Sequence, residues 1–335
     1  MPFRVSKASI ASVLAGLCAA SAAAVFAQPT PPPVMAPAYP SRPIVFVVPF
    51  SPGTGQDMIA RILAQKFTER WGQGGAVDNK AGASGNIGTE IAAKAAPDGH
   101  TLLVTATSFV TNAAVNSNLR YDPVKSFVPI SLVAMGTMSL VVSTNTPAQS
   151  VKEFVSLAKA NPGELNYASS GNGTPQHLTM ELFKLDSGIV VTHIPYRGTA
   201  PAITDVSGGR VNAFFLPVHT ALPYVQQGRM RMLAVLARER TQVLPNVPTM
   251  SEAGYPDVQV ENWYGVLAPA GTPREIVVKL NAEINAFLAA PEVKEILVKQ
   301  GLTLVGGAPS LLADMIESEL IRWPRVVSAA GIKAD

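Results

Sequence analysis

Cysteine is nearly missing. Among 335 residues the only one is Cys18, so neither a disulfide framework nor a cysteine-rich zinc site can organise this chain. Charge is sparse as well, at 15% of residues, with 26 bases against 23 acids for a net charge of +3. That balance argues against a disordered, self-repelling chain and gives no electrostatic case for nucleic acid or anionic lipid. Long apolar runs are also lacking. The stretch from Ile10 to Val25 falls short of the roughly 20 residues that span a bilayer, and no second stretch comes close. What is abundant is apolar character, at 47% of residues. It suits a folded protein with a sizeable core, and the length suits about two domains.

The N-terminus has the pattern of an export signal. Arg4 and Lys7 precede the Ile10–Val25 run, and Val25-Phe26-Ala27 supplies small residues at the last and third-last places. The expectation is a signal peptide over 1–27 with cleavage after Ala27 and a periplasmic destination. Removing it takes away two bases and no acids, so the balance becomes 24 − 23 = +1. Lipidation at Cys18 is disfavoured because Leu17, not a small residue, precedes it. Residues 28–40 hold Pro29, Pro31, Pro32, Pro33, Pro37 and Pro40, a polyproline-type tether.

From Tyr39 onward apolar runs alternate with helical patterns, which predicts α/β architecture with parallel strands and crossover helices. Pro43–Val48 is a continuous β-branched run, as a strand buried on both faces requires. The helix after it carries Ile59, Leu63, Phe67 and Trp71 at i, i+4 spacing. Further strands are predicted at 101–105, 130–133, 139–143, 165–168, 190–194, 211–215, 231–237 and 264–268. Ser150 with Glu153 reads as a capping box. Thr174-Pro175 and Thr272-Pro273 read as helix starts, with proline at the first helical position. Pro291 opens a short helix that Gly301 closes, Ser310 opens the last helix, and Pro324 is expected to kink or end it.

Two strand-to-helix loops share one chemistry. Phe50-Ser51-Pro52-Gly53-Thr54-Gly55-Gln56-Asp57 and Ser169-Ser170-Gly171-Asn172-Gly173-Thr174-Pro175 are rich in Gly, Ser and Thr and nearly devoid of charge. Each follows a strand predicted to be parallel, at the edge where open α/β sheets bind ligands. Each offers the unpaired amides of a first helical turn, an anion site that needs no Lys or Arg. The plainer alternative is ordinary strand-to-helix punctuation. Lys80–Gly88 is a third glycine-rich helix start, where Asn86 caps the helix or faces a cleft, capping being the stronger role. Pro195–Thr199 is a fourth loop. Tyr196 offers an aromatic wall with a hydroxyl, and Arg197 a cation that solvent would ordinarily hold.

Catalytic and cofactor patterns are wanting. Gly82-Ala83-Ser84-Gly85 misses the nucleophile-elbow spacing. Neither Gly53-Thr54-Gly55 nor Gly171-Asn172-Gly173 completes a dinucleotide fingerprint, and no Walker loop occurs. His100, His177, His193 and His219 include no metal-binding H-E-x-x-H pair. No cofactor and no metal are expected. A Ser170–His177–Asp57 triad lacks spacing support, and His177 reads more simply as a helix-face residue packed beside its loop.

Several ordered motifs carry a family resemblance over about residues 39–305. They begin with Tyr39-Pro40-Ser41-Arg42-Pro43-Ile44, Val48-Pro49-Phe50-x-Pro52-Gly53-x-x-x-Asp57 and Asn79-x-x-Gly82-Ala83-x-Gly85-x-Ile87-Gly88. Pro97-Asp98-Gly99 and Tyr121-Asp122-Pro123 follow. Next come Ser169-Ser170-Gly171-x-Gly173-Thr174-Pro175-x-His177-Leu178, Pro195-Tyr196-Arg197-Gly198, Val247-Pro248-Thr249 and Trp263-Tyr264-Gly265. Together they resemble the Bug family, periplasmic substrate-binding receptors of tripartite tricarboxylate transporters. The resemblance implies a two-domain Venus-flytrap, type II-like periplasmic binding protein with a cleft between domains. The first domain would be 41–142 with 265–335 and the second 143–264.

Carried over by position, Phe50, Pro52, Gly53, Thr54 and Asp57 would form one side of a carboxylate site. Ser169, Ser170, Gly173, Thr174 and His177 would form the other, with Asn86, Ser108, Asn112, Tyr196 and Gly198 around them. Thr54 departs from the glycine common at that place. The implied function is capture of a small organic acid (a dicarboxylate, aromatic carboxylate or similar) for membrane permease subunits, without catalysis. The alternatives are an exported serine hydrolase using Ser170 or Ser108 with His177, or a partner presenting a ligand to a membrane sensor kinase.

Overall fold

The computed structural model describes Met1, residues 39–329, Gly331 and Ile332. The expected signal peptide, its cleavage site after Ala27 and nearly all of the proline-rich tether lie outside the described residues. The unit that begins at Tyr39 opens as the sequence predicts. Ile44–Val48 (β1) is a buried strand, and Gly55–Trp71 (α1) follows it, with Ile59, Leu63 and Phe67 facing inward. Then come Gly75–Asn79 (β2), a single 3-10 turn at Ala83–Gly85, Asn86–Ala93 (α2), Thr101–Ala106 (β3), Ser108–Val115 (α3) and Phe127–Ser143 (β4). The middle of the chain gives Val151–Ala160 (α4), Asn166–Ser169 (β5), Pro175–Ser187 (α5), Thr192–Pro195 (β6), Thr199–Ser207 (α6), Ala213–Pro217 (β7), Val218–Gln226 (α7) and Met230–Val235 (β8). The chain ends through Glu261–Pro269 (β9), Arg274–Ala289 (α8), Pro291–Lys299 (α9), Leu302–Leu304 (β10) and Pro309–Ala329 (α10).

The strands run in the order β2-β1-β3-β9-β4-β7-β5-β6, with β8 and β10 also paired to β4. The expectation of parallel strands holds at both ends of this order. There β1 pairs parallel with β2 and β3, and β5 pairs parallel with β6 and β7. It fails in the middle, where β4 and β9 run antiparallel to every strand they touch. The physical reason is length. The two short strands expected at 130–133 and 139–143 are one strand of 17 residues. Its first part, from Phe127 to Thr137, pairs with β9, and its last part, from Met138 onward, pairs with β7 and β8. A single extended segment therefore joins both sets of parallel strands.

Apolar side chains gather into clusters that follow this division. One surrounds Phe46, Phe67, Leu280 and Phe287 beneath α1 and α8. Another holds Ala202, Phe214 and Leu216 beneath α6 and α7. A third runs continuously from Phe109 and Trp323 to Phe154 and Phe183. Most helix starts follow the sequence closely, but at Thr272-Pro273 the proline is the N-cap and α8 begins at Arg274. Ser150 Oγ accepts from Glu153 N at 3.2 Å, while the Glu153 carboxylate accepts from Gln149 N at 2.7 Å, one residue earlier than the usual box. Pro324 does not end the last helix, which passes through it. Trp323 and Val327 beside it are buried, so packing holds the turn despite the missing amide. The unpredicted strands β2 and β10 are short and, apart from Leu302, only partly buried or exposed, and their pairing partners rather than their composition make them strands.

Phe67 is the tightest aromatic junction of the first cluster, with ring centroids 5.6 Å from Phe46, 4.5 Å from Trp71 and 5.2 Å from Phe287. Phe67→Ala is expected to lower the unfolding free energy by about 3–5 kcal/mol, measured by urea denaturation. A loss below about 1 kcal/mol would show that this junction does not anchor the first half of the sheet.

Candidate functional site

Strands β1, β3, β5, β6 and β7 each run directly into a helix, and the first turns of those helices meet around one small cavity. Thr54, Gly55 and Gln56 come from α1, Ser108 from α3, Pro175 and Gln176 from α5, Thr199 from α6, and Pro217 and Thr220 from α7. Phe50, Ala106 of β3, Met138 of β4 and Asn262 and Tyr264 of β9 complete the wall. The space is about 30 Å³, on the scale of one or two water molecules. Among the described residues none of its lining side chains is charged. Each helix brings about half a positive charge at its N-terminus, so the potential there comes from main-chain dipoles.

The two glycine-rich loops leave those amides open in the same way. Thr54 and Thr174 occupy the N-cap positions of α1 and α5 with extended backbone, but neither side chain caps its helix. Thr54 Oγ1 donates back to Ser51 O at 3.2 Å, and Thr174 Oγ1 donates back to Gly171 O at 2.7 Å. An N-cap threonine normally accepts from the second or third helical amide. Here the hydroxyls brace their own loops. The amides of Gly55, Gln56 and Gln176 are then left without an intrahelical acceptor, and Pro175 has none to satisfy. The Gln176 side chain lines the cavity nine-tenths buried, and its Oε1 meets no hydrogen-bond partner.

Of the residues singled out from the sequence, Phe50, Thr54 and Ser108 line this cavity. Others hold its walls. Gly53 adopts φ +83° and donates its amide to Asp57 Oδ2 at 2.9 Å. Asp57 is buried and also meets Arg61 and Asn79. Burial alone would raise its carboxyl, but hydrogen bonds from Arg61, Gly53 and Asn79 outweigh that and hold its pKa low. Asp57 thus ties its loop to α1 and β2 rather than lining the cavity. Pro52 is exposed on the outside of the same loop.

On the other loop Ser169 is fully buried against His193, and Gly173 donates its amide to His177 Nδ1 at 3.2 Å. His177 stacks on His193 with centroids 4.1 Å apart. Among the described residues Ser170 Oγ is buried and meets no hydrogen-bond partner. Gly198 is the N-cap of α6 at φ 115°.

Asn86, Asn112 and Tyr196 sit further out. Asn86 does not cap α2, whose N-cap is Gly85; its Oδ1 accepts from Tyr121 OH at 2.8 Å. Tyr196 donates its hydroxyl to Asp205 at 2.7 Å and lines an outer groove of about 570 Å³ beside Ile87 and the exposed Arg197. That groove and the cavity flank a contact between the two sides. Ser84 Oγ donates to Asn172 O at 2.8 Å, and the Asn112 amide donates to Ser84 O. Ala83 and Ser84 hold φ values of 46° and 56°, a left-handed geometry that non-glycine residues keep only when their surroundings fix it.

Gln56, Gln176, Thr199, Thr220, Asn262 and Tyr264 were not singled out from the sequence. Gln56 and Gln176 stand in the first turns behind the two glycine-rich loops and Thr199 ends the Pro195–Thr199 loop, whereas Thr220 follows only from applying the strand-end rule to every strand-to-helix junction. Asn262 carried no local signal, and Tyr264 belongs to the Trp263-Tyr264-Gly265 motif, which by itself assigns it no site role. Tyr264 OH lies 3.1 Å from Nε2 of the buried His219, directly behind Gly55. Burial pulls the His219 pKa down to about 4.

The family described as the tripartite tricarboxylate transporter family receptor matches residues 59–332. Protein BugT of Bordetella pertussis is 38% identical over 303 residues, covering 90% of this chain and 93% of its own. Rpa4515 of R. palustris, solved with adipate, superposes with a TM-score of 0.86 at 36% identity, covering 88% of this chain and 99% of that one. MatC of Rhodopseudomonas palustris, solved with bound malate, superposes with a TM-score of 0.82 at 33% identity, covering 86% and 100%. These neighbours share the periplasmic binding protein fold.

His219 is neutral when folded, and its pKa of about 4 lies below the ordinary histidine value of 6.5. Its stabilising contribution is present above the unfolded value and is lost as pH falls from about 6.5 toward 4. Stability is expected to drop by about 2 kcal/mol between pH 7.5 and 5 from this residue alone. Urea unfolding at both pH values measures the drop, which His219→Gln should reduce. An equal drop in that variant would remove His219 as its source.

Proposed function

The chain belongs to the tripartite tricarboxylate transporter receptor family, and from that premise we propose that it captures a small organic carboxylate outside the cytoplasm and passes it to membrane permease subunits. The observation that carries the ligand class is the meeting of five helix N-termini around a cavity lined by no charged side chain. Such a set of amides favours an anion, and the open acceptor and donor of the Gln176 amide can meet a second polar group. Adipate and malate in the related structures are both small carboxylates.

Capture works by closure. The domains are 41–142 with 265–335 and 143–264, and β4 and β9 carry the chain between them. On that division the Ser84–Asn172 hydrogen bond joins one domain to the other, and so closes the mouth of the cleft. A cavity of about 30 Å³ is smaller than an organic acid, so binding requires the walls to part and re-form around the guest, which stabilises the closed arrangement. Phe50, Thr54 and Ser108 contact the ligand. Pro52, Gly53 and Asp57 shape one loop, and Ser169, Ser170, Gly173, Thr174 and His177 shape the other. Asn86, Asn112, Tyr196 and Gly198 border the mouth. The protein binds without turnover and reaches the periplasm by a cleavable signal peptide.

Isothermal titration at pH 7.5 with linear dicarboxylates, hydroxy acids, aromatic acids and their primary amides tests this reading. The best acid should bind at least about 100-fold more tightly than its amide. Equal binding of acid and amide, or binding of sugars alone, overturns it. Gly53→Pro, which can adopt neither φ +83° nor the amide bond to Asp57, should weaken the best acid by about two orders of magnitude. Unchanged affinity would exclude the α1 loop from the site.

A further inference from the structure

Behind the second loop, His193 of β6 is sandwiched between Tyr167 of β5 and His177 of α5. The ring centroids are 4.7 and 4.1 Å apart and the planes differ by 13° and 8°. His193 Nε2 lies 2.6 Å from Ser169 Oγ. That oxygen also meets Gly171 twice, its hydroxyl facing Gly171 O at 3.1 Å and its lone pairs facing Gly171 N at 3.2 Å. One placement of protons satisfies every contact. The Ser169 hydroxyl donates to Gly171 O, and its oxygen accepts from Gly171 N–H and from a protonated Nε2 of His193. His193 is therefore assigned as the neutral ring with its hydrogen on Nε2.

The Gly171 peptide is the point where this chain of contacts reaches the site. Its carbonyl also accepts from Thr174 Oγ1 at 2.7 Å, the contact that turns the threonine away from capping α5. A Cβ at Gly171 would stand 2.4 Å from Ser84 Oγ, the group that donates to Asn172 O across the mouth. We propose that His193, which does not line the cavity, is a positioning residue for the anion-binding loop. Through Ser169 it fixes the Gly171 peptide, and with it the open start of α5 and the carbonyl that Ser84 grips. This role rests on the reading of that loop as the carboxylate holder.

A histidine suits the task because its surroundings keep it uncharged. The ionisable groups around it are His177, Tyr167, Glu181 and Lys184, and Glu181 takes up both the Lys184 ammonium and the Tyr167 hydroxyl. Burial, with His177 and Lys184 adding to it, pulls the His193 pKa down to about 3. The Nε2 proton donated to Ser169 is then retained, without a second proton on the ring, from pH 8 to pH 5. Titration of His193 should therefore add no change in ligand affinity across that range.

The full chain carrying His193→Phe keeps a stacked ring but loses the donor, and His193→Gln restores an N–H without a titrating ring. Calorimetry with adipate and malate is combined with amide hydrogen exchange of residues 170–174 in ligand-free protein at pH 7.5. His193→Phe should weaken the tighter acid by about tenfold and speed exchange at Gly171 and Gly173. His193→Gln should bring both within about threefold of wild type. Wild-type behaviour of His193→Phe overturns the proposal, and so does a glutamine variant as impaired as the phenylalanine one. If neither acid binds the wild type, the carboxylate reading fails for them, while the exchange rates still decide the role of His193. If His193→Phe does not fold, the imidazole ¹⁵N spectrum of the wild type decides. A ring protonated on Nε2 alone at pH 7 supports the assignment, and one protonated on Nδ1 overturns it.

Discussion

Two threonine hydroxyls turn backward, and the site depends on where they point. Thr54 and Thr174 stand where a side chain would ordinarily cap a helix, yet each donates to a carbonyl three residues earlier. The cost is a helix start without its usual cap, on the order of 1 kcal/mol each. The gain is a pair of braced loops that bring Gly55, Gln56 and Gln176 of the first helical turns to one cavity. Asp57 applies the same logic from below, spending its charge on Gly53, Arg61 and Asn79. The only carboxylate of the first loop is thereby neutralised and held off the cavity, where it would repel an anionic guest.

The sheet explains why the open helix starts converge. Parallel strands at either end of the order send their helices off the same kind of edge. The long antiparallel β4 lies between the two sets and belongs to both. Because β4 and β9 are continuous through the middle, the two sets of loops can approach or part without breaking either set of parallel pairings. The Ser84 hydroxyl reaches across to Asn172 O, the Asn112 amide holds the Ser84 carbonyl from its own side, and the left-handed backbone at Ala83 and Ser84 presents these groups.

Much of this was legible in the sequence. The β-branched run of β1, the i, i+4 stripe of α1, the starts of α4, α5 and α9 and the positions of the two glycine-rich loops all follow from local rules, because local chemistry decides them. The antiparallel middle was not legible, since strand direction is set by pairing between distant segments and not by the alternation of apolar runs. The site was readable in kind but only partly in membership. Glycine-rich loops announce themselves, whereas Thr199 and Thr220 enter through ordinary strand-to-helix junctions, and Asn262 and Tyr264 arrive from β9, far along the chain. Thr174 illustrates the boundary: its position at the head of α5 is written in Thr-Pro, but the direction of its hydroxyl depends on Gly171, which His193 and Ser169 hold in place.

The most direct measurement is a crystal structure of the protein with its tightest-binding organic acid. The account predicts the acid group between the first turns of α1 and α5, its oxygens about 2.7–3.2 Å from main-chain amides or from one bridging water. The Ser84–Asn172 contact should be closed over it. An acid group paired instead with Arg197 or another cationic side chain in the outer groove, with the cavity between the helix starts left without a guest, would contradict it.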